Sequence, residues 1–147
     1  MKIHDVMTRE VHVAGPDQSI REAAKIMALY DTGALPVGDD DRLLGLITDR
    51  DIAVRAVARG MSPETPLSEV MSREVLYCFN DDEVANVAKN MSDIQVRRLP
   101  VVNRDKKLVG ILSLGDLARK SEAKTAGEAM KGIAEPSEQH SQTLGAH

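Results

Sequence analysis

The chain has 147 residues and a mass of 16.0 kDa, enough for one domain or two very small fused ones. Its net charge of −4 and its three aromatic residues, two Tyr and one Phe, argue against a nucleic-acid-binding protein, which needs a basic surface or stacking platforms. Apolar runs fall short of a membrane span, and the first residues lack an apolar signal core. The single cysteine, Cys78, excludes an intramolecular disulfide. We therefore expect a cytoplasmic protein that binds neither nucleic acid nor membrane.

The chain contains an internal repeat, the first feature to seek in any sequence. Residues 6–37 align with 70–101 at a constant offset of 64, and Gly45, Thr48 and Asp51 align with Gly110, Ser113 and Asp116 at an offset of 65. The repeat predicts the following organisation: repeat 1 at 1–60, a linker at 61–69, repeat 2 at 70–121, a C-terminal helix at 122–134 and a disordered tail at 135–147.

The predicted elements of the first copy begin with a short strand at Val11 and Val13. A helix capped by Ser19 follows, then strands near 34–37 and 43–47 joined by a polar turn, and a second helix that starts after Thr48 and ends near Gly60. The apolar stripe of the first helix has helical spacing: Ile20, Ala23, Ala24 and Met27.

In the linker, Thr65-Pro66 predicts a short helical turn with Pro at its first position. The second copy repeats the pattern of the first, with a strand at Val75 and Tyr77 and further strands at 99–102 and 107–112. Each copy thus reads as strand–helix–strand–strand–helix, an α/β (α+β) arrangement. The predicted apolar stripes are Val84, Val87, Ala88 and Met91 in the second copy, and Ala126, Met130, Ile133 and Ala134 in the C-terminal helix.

The most informative motif is Gly-x-x-Thr/Ser-x-x-Asp, at Gly45–Asp51 and again at Gly110–Asp116. One interpretation is a helix cap, since a hydroxyl followed three residues later by an acid resembles a capping box. The other interpretation is a ribonucleotide site. A helix N-terminus and the hydroxyl of Thr48 or Ser113 suit phosphate, whereas the carboxylate of Asp51 or Asp116 suits the vicinal hydroxyls of ribose.

A second repeated motif is Leu-Pro-Val, with Pro36 and Pro100 near the start of a strand. The residues before it differ between the copies: Thr32, Gly33 and Ala34 in the first, Arg97 and Arg98 in the second. The arginines are interpreted either as a solvated or ion-paired couple or as phosphate ligands, because the guanidinium fork matches phosphate oxygens.

The doubled combination of Leu-Pro-Val with Gly…Thr/Ser-x-x-Asp resembles a tandem pair of CBS (cystathionine β-synthase) domains, or Bateman module, over about 3–121, and in particular the stand-alone bacterial pairs of the hypoxic-response type. The resemblance implies two βαββα repeats packed around a pseudo-two-fold axis, usually in a homodimer. It further implies regulatory binding of an adenosine-containing small molecule such as AMP, ADP or ATP, without catalysis or a catalytic cofactor.

The resemblance also implies two clefts between the repeats, each combining Thr/Ser-x-x-Asp of one copy with residues before Pro-Val of the other. Cleft A takes Thr48 and Asp51 with Arg97 and Arg98, and suits phosphate. Cleft B takes Ser113 and Asp116 with Thr32, Gly33 and Ala34. Because Gly33 and Ala34 depart from the charged pattern, we expect a less charged ligand there, or none.

Other candidate sites have plainer interpretations. Asp39–Asp41 reads as a solvated hairpin turn because it lacks the alternating ligands of a calcium loop. The four histidines (His4, His12, His140 and His147) lack metal-ligand spacing, so no metal site is expected. Cys78 is interpreted as a small apolar strand residue, with a redox-sensing thiol as the alternative.

Two rival functions remain open at this point. One is a structural or dimerisation module whose clefts bind nothing and whose target is an unknown protein partner. The other is a nucleotide-processing enzyme, disfavoured because the sequence contains no phosphate-binding loop of the Gly-x-x-x-x-Gly-Lys-Ser/Thr type.

Overall fold

The computed structural model describes residues 1–136, which form two compact units. The first unit is His12–Val75, and the second unit combines Met1–Val11 with residues 76–136. The units therefore do not follow the repeat boundaries at the start of the chain. The first eleven residues pack with the second copy, and the predicted linker at 61–69 belongs to the first unit.

Both units are mixed α/β. Their elements in chain order are α1 (Ile3–Val6), α2 (Ile20–Tyr30), β1 (Ala34–Asp39), β2 (Arg42–Thr48), α3 (Asp49–Asp51), β3 (Cys78–Phe79), α4 (Val84–Ile94), β4 (Arg98–Val102), β5 (Leu108–Ser113), α5 (Leu114–Lys120) and α6 (Ala123–Ile133). Helix α3 continues as a π-helical turn (Ile52–Ala56) and a 3-10 turn (Val57–Arg59), and a second 3-10 turn spans Leu67–Glu69. No helix among residues 1–136 is both long enough and apolar enough to cross a membrane.

Each unit contains one antiparallel strand pair that ends at the repeated motif. In the first unit β1 pairs with β2, and Ala34 lies opposite Thr48. In the second unit β4 pairs with β5, and Arg98 lies opposite Ser113. The register therefore places the residues before Leu-Pro-Val beside the hydroxyl of the same copy.

The first strand of each copy is shorter than predicted or displaced. Instead of a strand at Val11 and Val13, the first copy has a single parallel bridge between Ala14 and Val37. The strand predicted at Val75 and Tyr77 begins three residues later, as Cys78–Phe79, parallel to β4. These strands are short and have polar neighbours, so the local sequence gives little indication of their position. Their position depends instead on the strands with which they pair.

Each unit is completed by residues near the start of the other copy. In the second unit, Thr8 pairs with Ile111 in β5; in the first unit, Ser72 pairs with Leu46 in β2. Each of these segments lies so close to the neighbouring strand that the strand has room only for a glycine at the contact. A Cβ at Gly110 would lie 2.7 Å from Met7 Sδ and 2.9 Å from Thr8 O. Gly45 meets the equivalent Met71 and Ser72 in the same way.

The two apolar cores confirm most of the predicted stripes. Ala24 is exposed, in contrast to its predicted place on the buried face of α2. Helix α6 packs on α4 and α5 through Ala126 and Ala129, whereas Met130 and Ala134 are exposed, in contrast to the prediction. The first core contains Ala14, Ile20, Ala23, Met27, Leu35, Val37, Ile47, Ala56, Leu67, Val70 and Met71. The second contains Ile3, Val6, Met7, Cys78, Val84, Val87, Ala88, Met91, Val96, Leu99, Val101, Leu112, Leu117, Ala126 and Ala129.

Replacement of Gly110 by alanine tests the close approach in the second unit. The added methyl meets the Thr8 backbone, so Gly110→Ala should lower the free energy of unfolding by about 1–3 kcal/mol, which a thermal melt detects. The matched control is Gly127→Ala in α6, where a Cβ meets nothing within 4 Å. That change should be neutral or stabilising. Equal melting temperatures for the two variants would contradict the packing described here.

Candidate functional site

In the first unit, the repeated motif forms a strand–helix junction, here called the first junction (Thr48–Asp51). Asp51 N donates to Thr48 Oγ1 at 3.0 Å, and Thr48 N donates to Asp51 Oδ2 at 3.0 Å. Both side chains are buried, with Asp51 only 1% exposed. The motif is thus a reciprocal helix cap, and the cap fixes the position of a buried carboxylate.

The second junction (Ser113–Asp116) repeats this cap. Asp116 N donates to Ser113 Oγ at 3.0 Å, and Ser113 N donates to Asp116 Oδ2 at 3.0 Å. Asp116 is also 1% exposed. Its second oxygen, Oδ1, accepts from Thr8 Oγ1 at 3.1 Å and from Arg119 Nη2 at 3.0 Å. Both carboxylate oxygens are therefore engaged.

Sequence reasoning missed Thr8 and Arg119. Arg119 lies three residues after Asp116, a spacing at which helical side chains meet, so its pairing was open to prediction. Thr8 aligns with Ser72 in the repeat, but it reaches Asp116 across 108 residues of sequence, and no local pattern indicates that contact.

The residues before Leu-Pro-Val lie beside the junction of their own unit. Leu114 N donates to Arg97 O at 2.8 Å in the second unit, and Asp49 N donates to Gly33 O at 2.9 Å in the first. Within each unit, the structure thus brings Arg97 and Arg98 to the second junction and Thr32, Gly33 and Ala34 to the first. The predicted clefts A and B combine residues of different units, and these combinations stay predictions.

The two junctions differ in their local charge. Near the second junction, Arg97 is exposed and Arg98 is half-buried, and the Arg119 guanidinium contacts Asp116. At the first junction an acidic side chain lies beside Gly33. A Cβ on Gly33 would lie 2.9 Å from Asp49 Oδ2. Phosphate is therefore favoured near Arg97 and Arg98 and disfavoured near Gly33.

The remaining predicted site residues form hydrogen bonds with the backbone or lie within strands. Thr32 Oγ1 donates to Ala34 O at 3.1 Å. Pro36 and Pro100 are buried in β1 and β4, and Pro36 O accepts from Ala14 N at 3.0 Å. Arg55, which the sequence analysis did not single out, has a buried Nη1 without a hydrogen-bond partner among the described residues.

The other sequence candidates offer little reactive chemistry. Burial raises the pKa of Cys78 to about 12, so its sulfur stays a protonated thiol near neutral pH, which disfavours the redox-sensing alternative. Asp40 and Asp41 have positive φ angles in the β1–β2 hairpin turn. Among residues 1–136, no group of three or more His, Cys, Asp or Glu side chains is placed to hold a metal ion. His140 and His147 lie outside the described residues.

The CBS domain family model matches residues 3–57 and 67–123, most of the chain. The chain belongs to the CBS domain family. It is 41% identical over 132 residues to the CBS domain-containing protein YhcV of Bacillus subtilis, covering 89% of this chain and 94% of that protein. It is 35% identical over 134 residues to Hypoxic response protein 1 of Mycobacterium tuberculosis, covering 90% and 93%.

Solved CBS-pair structures share the fold. Hypoxic Response Protein I, described with two coordinated zinc ions, has a TM-score of 0.75 at 35% identity, over 83% of this chain and 100% of that one. The CBS pair of MJ0100, in complex with methylthioadenosine and S-adenosylmethionine, has a TM-score of 0.73 at 32% identity, over 81% and 94%. CBSX2 in complex with AMP has a TM-score of 0.71 at 27% identity, over 80% and 93%.

Proposed function

We propose that this CBS pair is a regulatory module that binds an adenine nucleotide and performs no chemistry of its own. One observation carries the proposal: both copies hold a buried carboxylate, Asp51 or Asp116, in the same reciprocal cap at a strand–helix junction. The adenosine compounds bound to MJ0100 and CBSX2 support the choice of ligand class.

The chemistry of the junctions suits the parts of a nucleotide. A carboxylate accepts hydrogen bonds from the two vicinal hydroxyls of ribose, so Asp51 and Asp116 are the proposed ribose ligands. Thr48 and Ser113 add hydroxyl groups, and Arg97 and Arg98 supply the charge for phosphate. Thr32, Gly33 and Ala34, beside Asp49, suit an uncharged part of the ligand, while Pro36 and Pro100 position the strands.

The ligand acts by shifting the population of two arrangements of the protein, which requires it to bind one arrangement more tightly. We propose that the chain works as a cytoplasmic homodimer. The exposed apolar side chains of Leu29 and Val57 in the first unit fit a surface that a second copy covers. AMP, ADP and ATP are the candidate ligands.

Thermal unfolding against a nucleotide panel tests the proposed ligand class. A ligand at 100 times its Kd stabilises the folded state by about 2.7 kcal/mol, which corresponds to a rise in Tm of roughly 5–10 °C for a chain of this size. We expect AMP, ADP or ATP to raise the melting temperature, and the 2′-deoxy form to do so much less. A flat panel at millimolar ligand would favour the rival function, a dimerisation module for a protein partner.

Replacement of Asp51 by asparagine tests the ribose contact. Asn keeps an oxygen for the Thr48 backbone N–H but loses the charge, so Asp51→Asn should fold and weaken AMP binding about tenfold or more, measured by calorimetry. The control is Asp41→Asn, the same charge change in the exposed hairpin turn. An unchanged Kd in a folded Asp51→Asn protein would count against the assignment.

A further inference from the structure

The second junction has donors around its carboxylate that go beyond the shared cap. Asp116 Oδ1 accepts from the Thr8 hydroxyl at 3.1 Å and from the Arg119 guanidinium at 3.0 Å, while Oδ2 accepts from Ser113 N at 3.0 Å. A carboxylate has about four acceptor positions, and three of them are filled. Two ribose hydroxyls therefore cannot both bind Asp116 unless at least one of these donors leaves.

A glycine makes room for Arg119 beside this carboxylate. A Cβ at Gly115 would lie 2.9 Å from Arg119 Nη1, so the glycine leaves room for the guanidinium. The first copy has Arg50 at the position of Gly115 and Val54 at the position of Arg119, and a valine cannot form the equivalent ion pair. The ion pair between Arg119 and Asp116 therefore has no counterpart at Val54 in the first copy.

Thr8 is held at the same carboxylate by its backbone. Thr8 N donates to Ile111 O, and Ile111 N donates to Thr8 O, both at 2.9 Å. This pairing fixes the hydroxyl over Asp116. The repeat-equivalent Ser72 instead directs its hydroxyl toward Glu74 O at 3.5 Å.

We propose that Thr8 and Arg119 are specificity-determining residues that compete with ribose hydroxyls for Asp116. The inference rests on the proposed function and deepens it. The second junction would bind the phosphate-bearing part of a ligand through its arginines more readily than the ribose part. Arg119 is the more easily displaced competitor, because its side chain is 66% exposed and exposed ion pairs are weak. A ribose that does bind Asp116 would displace the Arg119 guanidinium first and the Thr8 hydroxyl second.

The test is the selectivity for ribose hydroxyls, the ratio of the Kd of 2′,3′-dideoxy-AMP to the Kd of AMP. This ratio isolates the hydroxyl contribution because both ligands carry the same phosphate. The variants are Thr8→Val, Arg119→Gln and their combination, measured by calorimetry on the full chain. Thr8→Val removes one competing donor, and Arg119→Gln replaces a charged donor by a shorter, neutral one, so we expect about a threefold rise in the ratio per change and about tenfold for the pair.

Three controls separate competition from a structural role. Thr8→Ser keeps the hydroxyl and should retain the wild-type ratio. Lys120→Gln removes an adjacent exposed charge without touching Asp116 and should also leave the ratio unchanged. With Asp116→Asn added, the gain of the double variant should disappear. Thermal melts without ligand show which variants are folded, and the single variants keep the test open if the pair is not.

The outcomes distinguish the two proposals. If the wild-type chain binds no adenine nucleotide, the proposed function fails and this inference fails with it. If the wild-type chain binds AMP but the ratio is unchanged or falls in folded Thr8→Val and Arg119→Gln, the proposed function survives and the competition is refuted. A gain that persists with Asp116→Asn would also refute it.

Discussion

The architecture of both sites depends on a carboxylate that caps its own helix. At each junction the acid three residues after the N-cap accepts the N-cap backbone N–H, while the N-cap hydroxyl accepts the acid's N–H. This pair of bonds satisfies two donors that the helix start would otherwise leave unpaired. It also fixes the direction of the strand into the helix. The same carboxylate is thereby held, buried, where a ligand hydroxyl is proposed to bind, so the cap and the site are one structure.

A second constraint is the exchange of segments between copies. Met7 and Thr8 complete the sheet of the second copy, and Met71 and Ser72 complete that of the first. At the first position of each motif, Gly45 or Gly110, this close contact leaves no room for a side chain. The segment that contains Thr8 thus pairs with the sheet edge and also donates a hydrogen bond to Asp116. A change at the site is therefore coupled to the packing of the chain's first residues.

The sequence predicted the elements whose positions depend on interactions between residues close together in the chain. The Ser19 cap, the strands on either side of the hairpin turn and the helix after Thr48 follow from spacing and turn residues, and all are present. The partner of residues 1–11 was not predictable, because strand pairing across the chain leaves no local pattern. For the same reason Thr8 was missed at Asp116. Ala24 was misplaced because an alanine fits either face of a helix and its small side chain gives little preference.

The repeat does not make the two junctions equal. The first has an acid beside Gly33, whereas the second has Arg97 and Arg98 and a carboxylate held by Thr8 and Arg119. Two nearly identical motifs therefore lie in surroundings of different charge.

A crystal structure of the full chain grown with AMP tests the central claim most directly. The account predicts that the ribose hydroxyls lie within about 3.2 Å of the Asp51 carboxylate, with the cap to Thr48 still formed. A nucleotide bound away from both junctions, or one whose ribose faces solvent, would contradict it.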